Sequence, residues 1–268
     1  DLGIDSDGAI NTYLLKSEAE TVLTLDVTGK NISDLTGIEA FVNIKELVCS
    51  FNRQLTSLDL SNNTQLETFS SRGTSLSELD VTSNTLLVSL NVFGNNLGSI
   101  DVSKNVLLKT LVLSRNNISE LDVSKNLSLE DFGCSSNKLT NIDISNNTSL
   151  KVFALNGRFN TEYTLSDIDL SKNVALEQLF LGGNQLTSLD ISKNVNLQSL
   201  VCPNNQLTSL DTSKNVNLQR LFCNHNQLVG LDVSNNKDLT YLNCNENQLT
   251  ALDLSNNIKL TKLIAQNN

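Results

Sequence analysis

From residue 22 to the C-terminus, hydrophobic positions recur with a fixed period. Leu176, Leu179, Leu181, Asn184, Leu186, Leu189, Asp190, Ser192 and Asn194 return 21 residues later as Leu197, Leu200, Cys202, Asn205, Leu207, Leu210, Asp211, Ser213 and Asn215. The unit reads L-x-x-L-x-C/L-x-x-N-x-L-x-x-L-D-x-S-x-N-x-x. A period of this size means stacked units that bury a shared core, rather than one globular core. Side chains alternate sides along a strand, so the L-x-C/L pair predicts a short strand with two inward residues. The residues flanking it face outward. Strands of adjacent units then pair in parallel at about 4.8 Å, and twelve make a ribbon roughly 50–60 Å long. The Leu or Ile residues at the eleventh and fourteenth positions return to the core and close each coil.

The units open at Val22, Ile44, Leu66, Leu87, Leu108, Leu129, Leu150, Leu176, Leu197, Leu218 and Leu239, with a partial unit from Leu260. The unit from Ile44 has one extra residue near Arg53, and the unit from Leu150 runs to 26 residues (150 to 176). Residues 1–21 do not fit the repeat and are expected to be the remnant of an N-terminal cap; residues 22–268 are expected to form a single domain of about eleven repeats and a partial last one. The chain lacks methionine altogether and stops within a repeat, which reads as a piece of a longer protein. An uncovered C-terminal end would be an association hazard and a possible route to a dimer.

Asparagine at the ninth position (Asn52, Asn95, Asn116, Asn137, Asn184, Asn205, Asn226 and Asn247) falls where the chain leaves the strand. Buried there, its amide can serve backbone groups that the bend would orphan. Thr74 replaces it once, with an expected cost to that ladder.

The repeated L-x-x-L-x-L/C-x-x-N-x-L core resembles the leucine-rich repeat family over residues 22–268. The segment Asn31-Ile32-Ser33-Asp34-Leu35-Thr36-Gly37-Ile38-Glu39 is similar to the first repeats of bacterial internalin-like proteins. The L-x-C-x-x-N-Q-L-T-S-L-D-x-S-x-N units look like those of secreted flavobacterial proteins. The resemblance implies a curved, right-handed solenoid with a parallel β-sheet on its concave face and extended or turn segments on the convex face. It also implies a secreted or cell-surface location and a binding role, without naming a ligand.

Composition narrows the chemistry. The formal net charge is −10 and the pI near 4.6, which repels phosphate and disfavours nucleic acid. No apolar run is long enough to span a membrane. All five cysteines (Cys49, Cys134, Cys202, Cys223 and Cys244) occupy one inward position shared with Leu113, Leu155 and Leu181, as a small hydrophobe would. Their side chains would run parallel on adjacent strands, so free buried thiols are expected rather than disulfides or zinc.

An aspartate follows the fourteenth-position Leu or Ile in ten repeats, from Asp59 to Asp253, and supplies ten of the 29 acidic residues. Stacked carboxylates repel. Backbone N–H bonds at the turn and Lys104, Lys125, Lys172, Lys193 and Lys214 three residues on can offset this. D-x-S-x-N also offers alternating oxygens to calcium, though a column this uniform is better explained by a repeated turn. Asp5-Ser6-Asp7-Gly8 resembles a calcium loop, but Gly3 and Leu14 would occupy its first and twelfth ligand positions, so a plain turn is expected. No phosphate loop, zinc motif or nucleophile motif is present. No cofactor, metal site or enzyme activity is expected.

Columns that obey the repeat are structural, so individuality lies in the outward positions that vary. Phe180, Val201 and Phe222 fall at equal height in three successive units, with Arg220, His225, Tyr241, Asn243 and Asn245 beside them. Such a stripe is either an interaction surface or a ladder that merely steadies the sheet. Phe51, Arg72, Phe93 and Arg115 form a second, looser set in the N-terminal half. The insertion after Leu155 carries Arg158, Phe159, Glu162 and Tyr163, and insertions in solenoids become loops, often on the binding face. His225, the sole histidine, is otherwise an ordinary surface residue. The leading expectation is a non-catalytic recognition module of an exported bacterial protein, binding a protein partner through the concave sheet and the inserted loop. A polysaccharide-binding module and a structural spacer are the alternatives.

Overall fold

The computed structural model describes residues 15–157 and 164–268. After a single helical turn, α1 (Lys16–Ala19), the chain forms twelve three-residue strands: β1 (Thr24–Asp26), β2 (Glu46–Val48), β3 (Thr68–Ser70), β4 (Ser89–Asn91), β5 (Thr110–Val112), β6 (Asp131–Gly133), β7 (Val152–Ala154), β8 (Gln178–Phe180), β9 (Ser199–Val201), β10 (Arg220–Phe222), β11 (Tyr241–Asn243) and β12 (Lys262–Ile264). A 3-10 turn at Ile38–Ala40 lies between β1 and β2. The strands pair in strict sequence order into one parallel sheet. Each coil therefore returns to lie beside the previous one, and the fold is a leucine-rich repeat solenoid with the sheet on its concave face.

Register follows directly from the period. Leu179 pairs with Leu200, Leu200 with Leu221 and Leu221 with Leu242. This inward file is buried throughout apart from its last member, Leu263, which is 44% exposed on the terminal strand. Phenylalanine fills it at Phe69, Phe132 and Phe153; the last two rings meet at 5.5 Å between centroids, tilted by 35°. The cysteines line the neighbouring inward file as free, buried thiols. Burial pushes Cys49 up to about 11 and Cys202 up to about 12, and also raises Cys134 and Cys223 well above the ordinary thiol range.

The ninth-position asparagines form the anticipated ladder. Asn116 donates from Nδ2 to Val92 O and Leu113 O, both at 2.9 Å, and accepts the Leu97 N–H at 3.0 Å through Oδ1. One amide thus ties two coils together and satisfies three buried backbone groups. At the substituted rung, Thr74 Oγ1 contacts Asn95 Oδ1 and lies 2.9 Å from the buried Ser71 hydroxyl. Ser71 stands in the cysteine file, so a local polar pair replaces part of what the missing amide would supply.

The residue before each rung takes the left-handed conformation. It is glycine at Gly73, Gly94 and Gly183, but Phe51, Arg115, Ser136, Asn204, His225 and Glu246 adopt φ of 53–61° there. The bend that frees the backbone for the asparagine amide demands that conformation, against the preference of residues with a Cβ.

A second asparagine column runs through the D-x-S-x-N turns. Asn63, Asn84, Asn105, Asn126, Asn147, Asn173, Asn194, Asn215 and Asn236 are fully buried. Asn105 is typical, donating to Val81 O at 2.9 Å and Asn84 O at 2.8 Å. Its Oδ1 has no protein partner, nor do those of seven others among these and of Asn257, which extends the column; Asn236 is the exception.

Each aspartate of the acidic column turns its Oδ1 back to the N–H two residues on, as in Ser103 N to Asp101 at 2.8 Å and Ser192 N to Asp190 at 2.8 Å. These hydrogen bonds hold the carboxyls below their ordinary range, with a smaller contribution from lysines such as Lys104 and Lys193. Repulsion from neighbouring aspartates is a weaker influence. The column is thus a repeated turn, and the asparagine of D-x-S-x-N points its amide into the backbone.

Candidate functional site

The outward stripe is set by sheet register. Phe180 pairs with Val201, Val201 with Phe222 and Phe222 with Asn243, so three apolar side chains stand in one file at the end of successive strands. Each is half-buried by its neighbours. Asn243 ends the apolar run, and Ile264 resumes it on the last strand.

The file of residues at the strand starts supplies the rest. Arg220 pairs with Tyr241 and Tyr241 with Lys262. The Tyr241 ring meets Phe222 edge-on, with centroids 4.4 Å apart and planes at 64°, the geometry favoured by the aromatic quadrupole. Lys262 Nζ lies 4.5 Å from the Tyr241 centroid. Arg220, Phe222, Tyr241 and Lys262, with Thr240 and Thr261, line a recess of about 420 Å³. Neither Arg220 nor Lys262 is among the ion pairs of the described residues, all of which involve other lysines. The surface therefore combines a packed aromatic pair with two cations that have no carboxylate partner among the described residues.

The other expected residues sit around this centre. Asn243 Oδ1 accepts the Asn245 N–H at 3.4 Å, a bond within the chain's own turn. Asn245 O in turn accepts the His225 N–H at 2.9 Å. His225 occupies the left-handed position beyond β10 at φ 53° and is exposed, so its backbone serves the bend while its ring faces solvent. Arg158, Phe159 and Tyr163 lie outside the described residues, as does the Asp5–Gly8 segment. Sequence reasoning passed over Lys262 and the two threonines. Lys262 belongs to the partial last repeat, and the available signal was its place in the same file as Arg220 and Tyr241.

The N-terminal set is tighter than its spacing indicated. Arg72 Cζ lies over the rings of Phe51 and Phe93, at 6.0 and 5.8 Å from their centroids, and Arg115 Cζ lies 5.4 Å from that of Phe93. Rings and guanidinium groups alternate along four consecutive coils.

A larger recess, about 1070 Å³, opens on the returning segments of the first coils and is lined by Asp34, Glu39, Asp59, Glu78, Asp80 and Asp101. Five of these carboxylates already accept backbone N–H groups, from Thr36, Gly37, Ser61, Thr82 and Ser103. Among the described residues no group of side chains has the arrangement of a metal site, and no helix is long and apolar enough to cross a membrane.

Comparison with solved structures finds likeness to leucine-rich repeat proteins. It is similar to the functional domain of InlJ from Listeria monocytogenes, described as including a cysteine ladder, with 36% identity and a TM-score of 0.89 over 94% of this chain and 55% of that one. The chain thus spans about half the length of that structure. An internalin, InlF, from the same organism superposes with a TM-score of 0.79 at 24% identity, over 95% of this chain and 84% of its own. A leucine-rich repeat protein of Leptospira interrogans gives 0.75 at 21% identity, over 94% and 80%. No protein-family model and no curated protein sequence matches the chain.

Proposed function

We propose that this chain is a non-catalytic recognition module of a secreted or cell-surface bacterial protein, and that it binds a protein partner with the C-terminal half of its concave sheet. The observation that carries this reading is the Phe180–Val201–Phe222 file standing in register beside the Phe222–Tyr241 pair. A rigid sheet holds these groups at fixed heights, so a partner would meet a preorganised surface and lose little further freedom on binding. Aromatic and arginine side chains are the usual anchors of such contacts. Arg220 and Lys262, outside the ion pairs of the described residues, add a local positive field on an acidic molecule, which favours one orientation of approach. The likeness to InlJ supports an exported location.

The test is an array of surface proteins and polysaccharides probed with the wild-type chain and with the Phe180→Ser/Phe222→Ser double variant. A protein ligand bound by the first and lost by the second is expected. A ligand retained by the double variant would remove the site from this face. Binding confined to polysaccharides would change the ligand class, and silence of both forms would favour a spacer.

A further inference from the structure

The alternating Phe51–Arg72–Phe93–Arg115 stack lies outside the aromatic surface of the C-terminal half. We infer that it is a second contact site, shaped for an extended acidic peptide segment with two carboxylates three residues apart. The inference rests on the reading of the chain as a protein-recognition module and adds the chemistry of the segment bound.

Four observations carry it. Phe51 is 53% exposed, the only phenylalanine among the exposed large hydrophobics of the described residues, and Arg72 and Arg115 are also exposed. Among the described residues neither arginine forms an ion pair, although the chain carries ten more acidic than basic residues (29 against 19). Phe51 and Arg115 occupy the left-handed position at φ 61° and 58°, which adjacent repeats fill with Gly73 and Gly94 at lower conformational cost. The stack is also fitted together: a Cβ at Gly73 would lie 3.2 Å from the Phe51 ring, so the glycine clears the space that the ring occupies.

The arrangement selects the ligand. Guanidinium groups held against ring faces keep their N–H edges free for carboxylates, which they bind in bidentate fashion. Arg72 follows β3 and Arg115 follows β5, so two strand spacings, about 10 Å, separate their backbones. A peptide in the polyproline II conformation has three residues per turn and rises about 3.1 Å per residue. Carboxylates three residues apart therefore share one face about 9 Å apart, and one meets each arginine, with the bulk of Phe93 between them. Sugar stacking would need a free ring face, whereas Phe93 has a guanidinium from each neighbouring coil against it.

The test uses dye-labelled ten-residue peptides with Glu-Thr-Val-Glu, Gln-Thr-Val-Gln or adjacent glutamates at the centre, titrated into the whole chain and followed by fluorescence anisotropy. The Glu-Thr-Val-Glu peptide should bind at least tenfold more tightly than the other two. Arg72→Gln/Arg115→Gln should abolish that advantage, and Phe51→Leu/Phe93→Leu should reduce it while keeping the apolar bulk. Phe180→Ser/Phe222→Ser should leave it unchanged, so failure of the C-terminal surface and failure of this site are separable. Circular dichroism and melting of each variant identify any loss caused by unfolding. Equal binding of the three peptides, no binding, or insensitivity to the arginine changes would overturn the inference. Tighter binding of a heparin oligosaccharide at the same arginines would also overturn it, by assigning the site to a glycan.

Discussion

Thr212 Oγ1 donates a 2.7 Å hydrogen bond to Asn236 Oδ1, and this contact makes one rung of the inner asparagine column unlike the nine whose Oδ1 has no protein partner. The position of Thr212 is filled elsewhere by Val81, Val102, Val123 and Val233, none of which can donate. Every rung in the column gains two amide donor bonds, but only this one also satisfies its acceptor.

Replacing Thr212 with valine should therefore destabilise the fold by about 1 kcal/mol, the net worth of one buried hydrogen bond. The reverse change, Val233→Thr, places a hydroxyl at the same 24-residue offset from Asn257 and should stabilise by a similar amount. Urea denaturation reads both as shifts in midpoint at constant slope. Movement of the two midpoints in the same direction would show that the Oδ1 atoms have other means of satisfaction.

The outer ladder should be far less tolerant. Asn116→Ala removes three hydrogen bonds at once and strands two carbonyls and an N–H in the interior, a loss of about 3 kcal/mol. Asn96, whose exposed amide makes a single 3.4 Å contact with Ser75 O, serves as the control. Its alanine variant should stay within about 0.5 kcal/mol of wild type. Comparable losses at both sites would contradict the ladder's role.

The thiols should be silent until the chain opens. Cys202 is fully buried, and its thiol is pushed up to about 12, so iodoacetamide at pH 8 should modify it at least a hundredfold more slowly in the folded chain than in urea. Cys244 lies one coil from the terminal strand and is expected to react first. Because the folded thiols titrate above the unfolded value near 9.0, the stability they confer is intact below that pH. It declines as pH rises from about 9 toward 12. Mass spectrometry after timed alkylation reads the order of reaction, and melting against pH reads the alkaline loss.

Acid should weaken the turns together. Asp59, Asp101, Asp190 and their counterparts sit below the ordinary carboxylate value of 3.8. Their contribution is complete above that value and is lost as pH falls below it toward the depressed folded values. Melting temperature should accordingly drop below about pH 4. Asp122→Asn retains an acceptor for the Ser124 N–H while removing the charge, so it should lessen the acid sensitivity with little effect at pH 7. A melting temperature that holds steady into the acid range would show that the turns do not depend on these carboxylates.

How much of this was legible in the chain differs from element to element. The Leu179–Leu200–Leu221 file could be read directly, because a side-chain period of two and a repeat of 21 leave one register that buries every leucine. The Phe180–Val201–Phe222 file followed from the same arithmetic. The inner asparagine column was visible as a recurring letter, yet its burial and its unpaired oxygens were not, since D-x-S-x-N reads equally well as a solvated turn. Lys262 escaped attention because its role depends on the Tyr241 ring in the preceding coil, not on its own repeat.

The sequence by itself determined the period, the inward and outward faces and the order of the strands, because these depend only on spacing along the chain and the demand that apolar groups leave water. Tertiary structure decided the rest: which guanidinium lies over which ring, which amide oxygen finds a donor, and which residues accept a left-handed backbone. Those outcomes depend on side-chain direction and on contacts between coils a few ångströms apart, and a one-dimensional pattern carries neither.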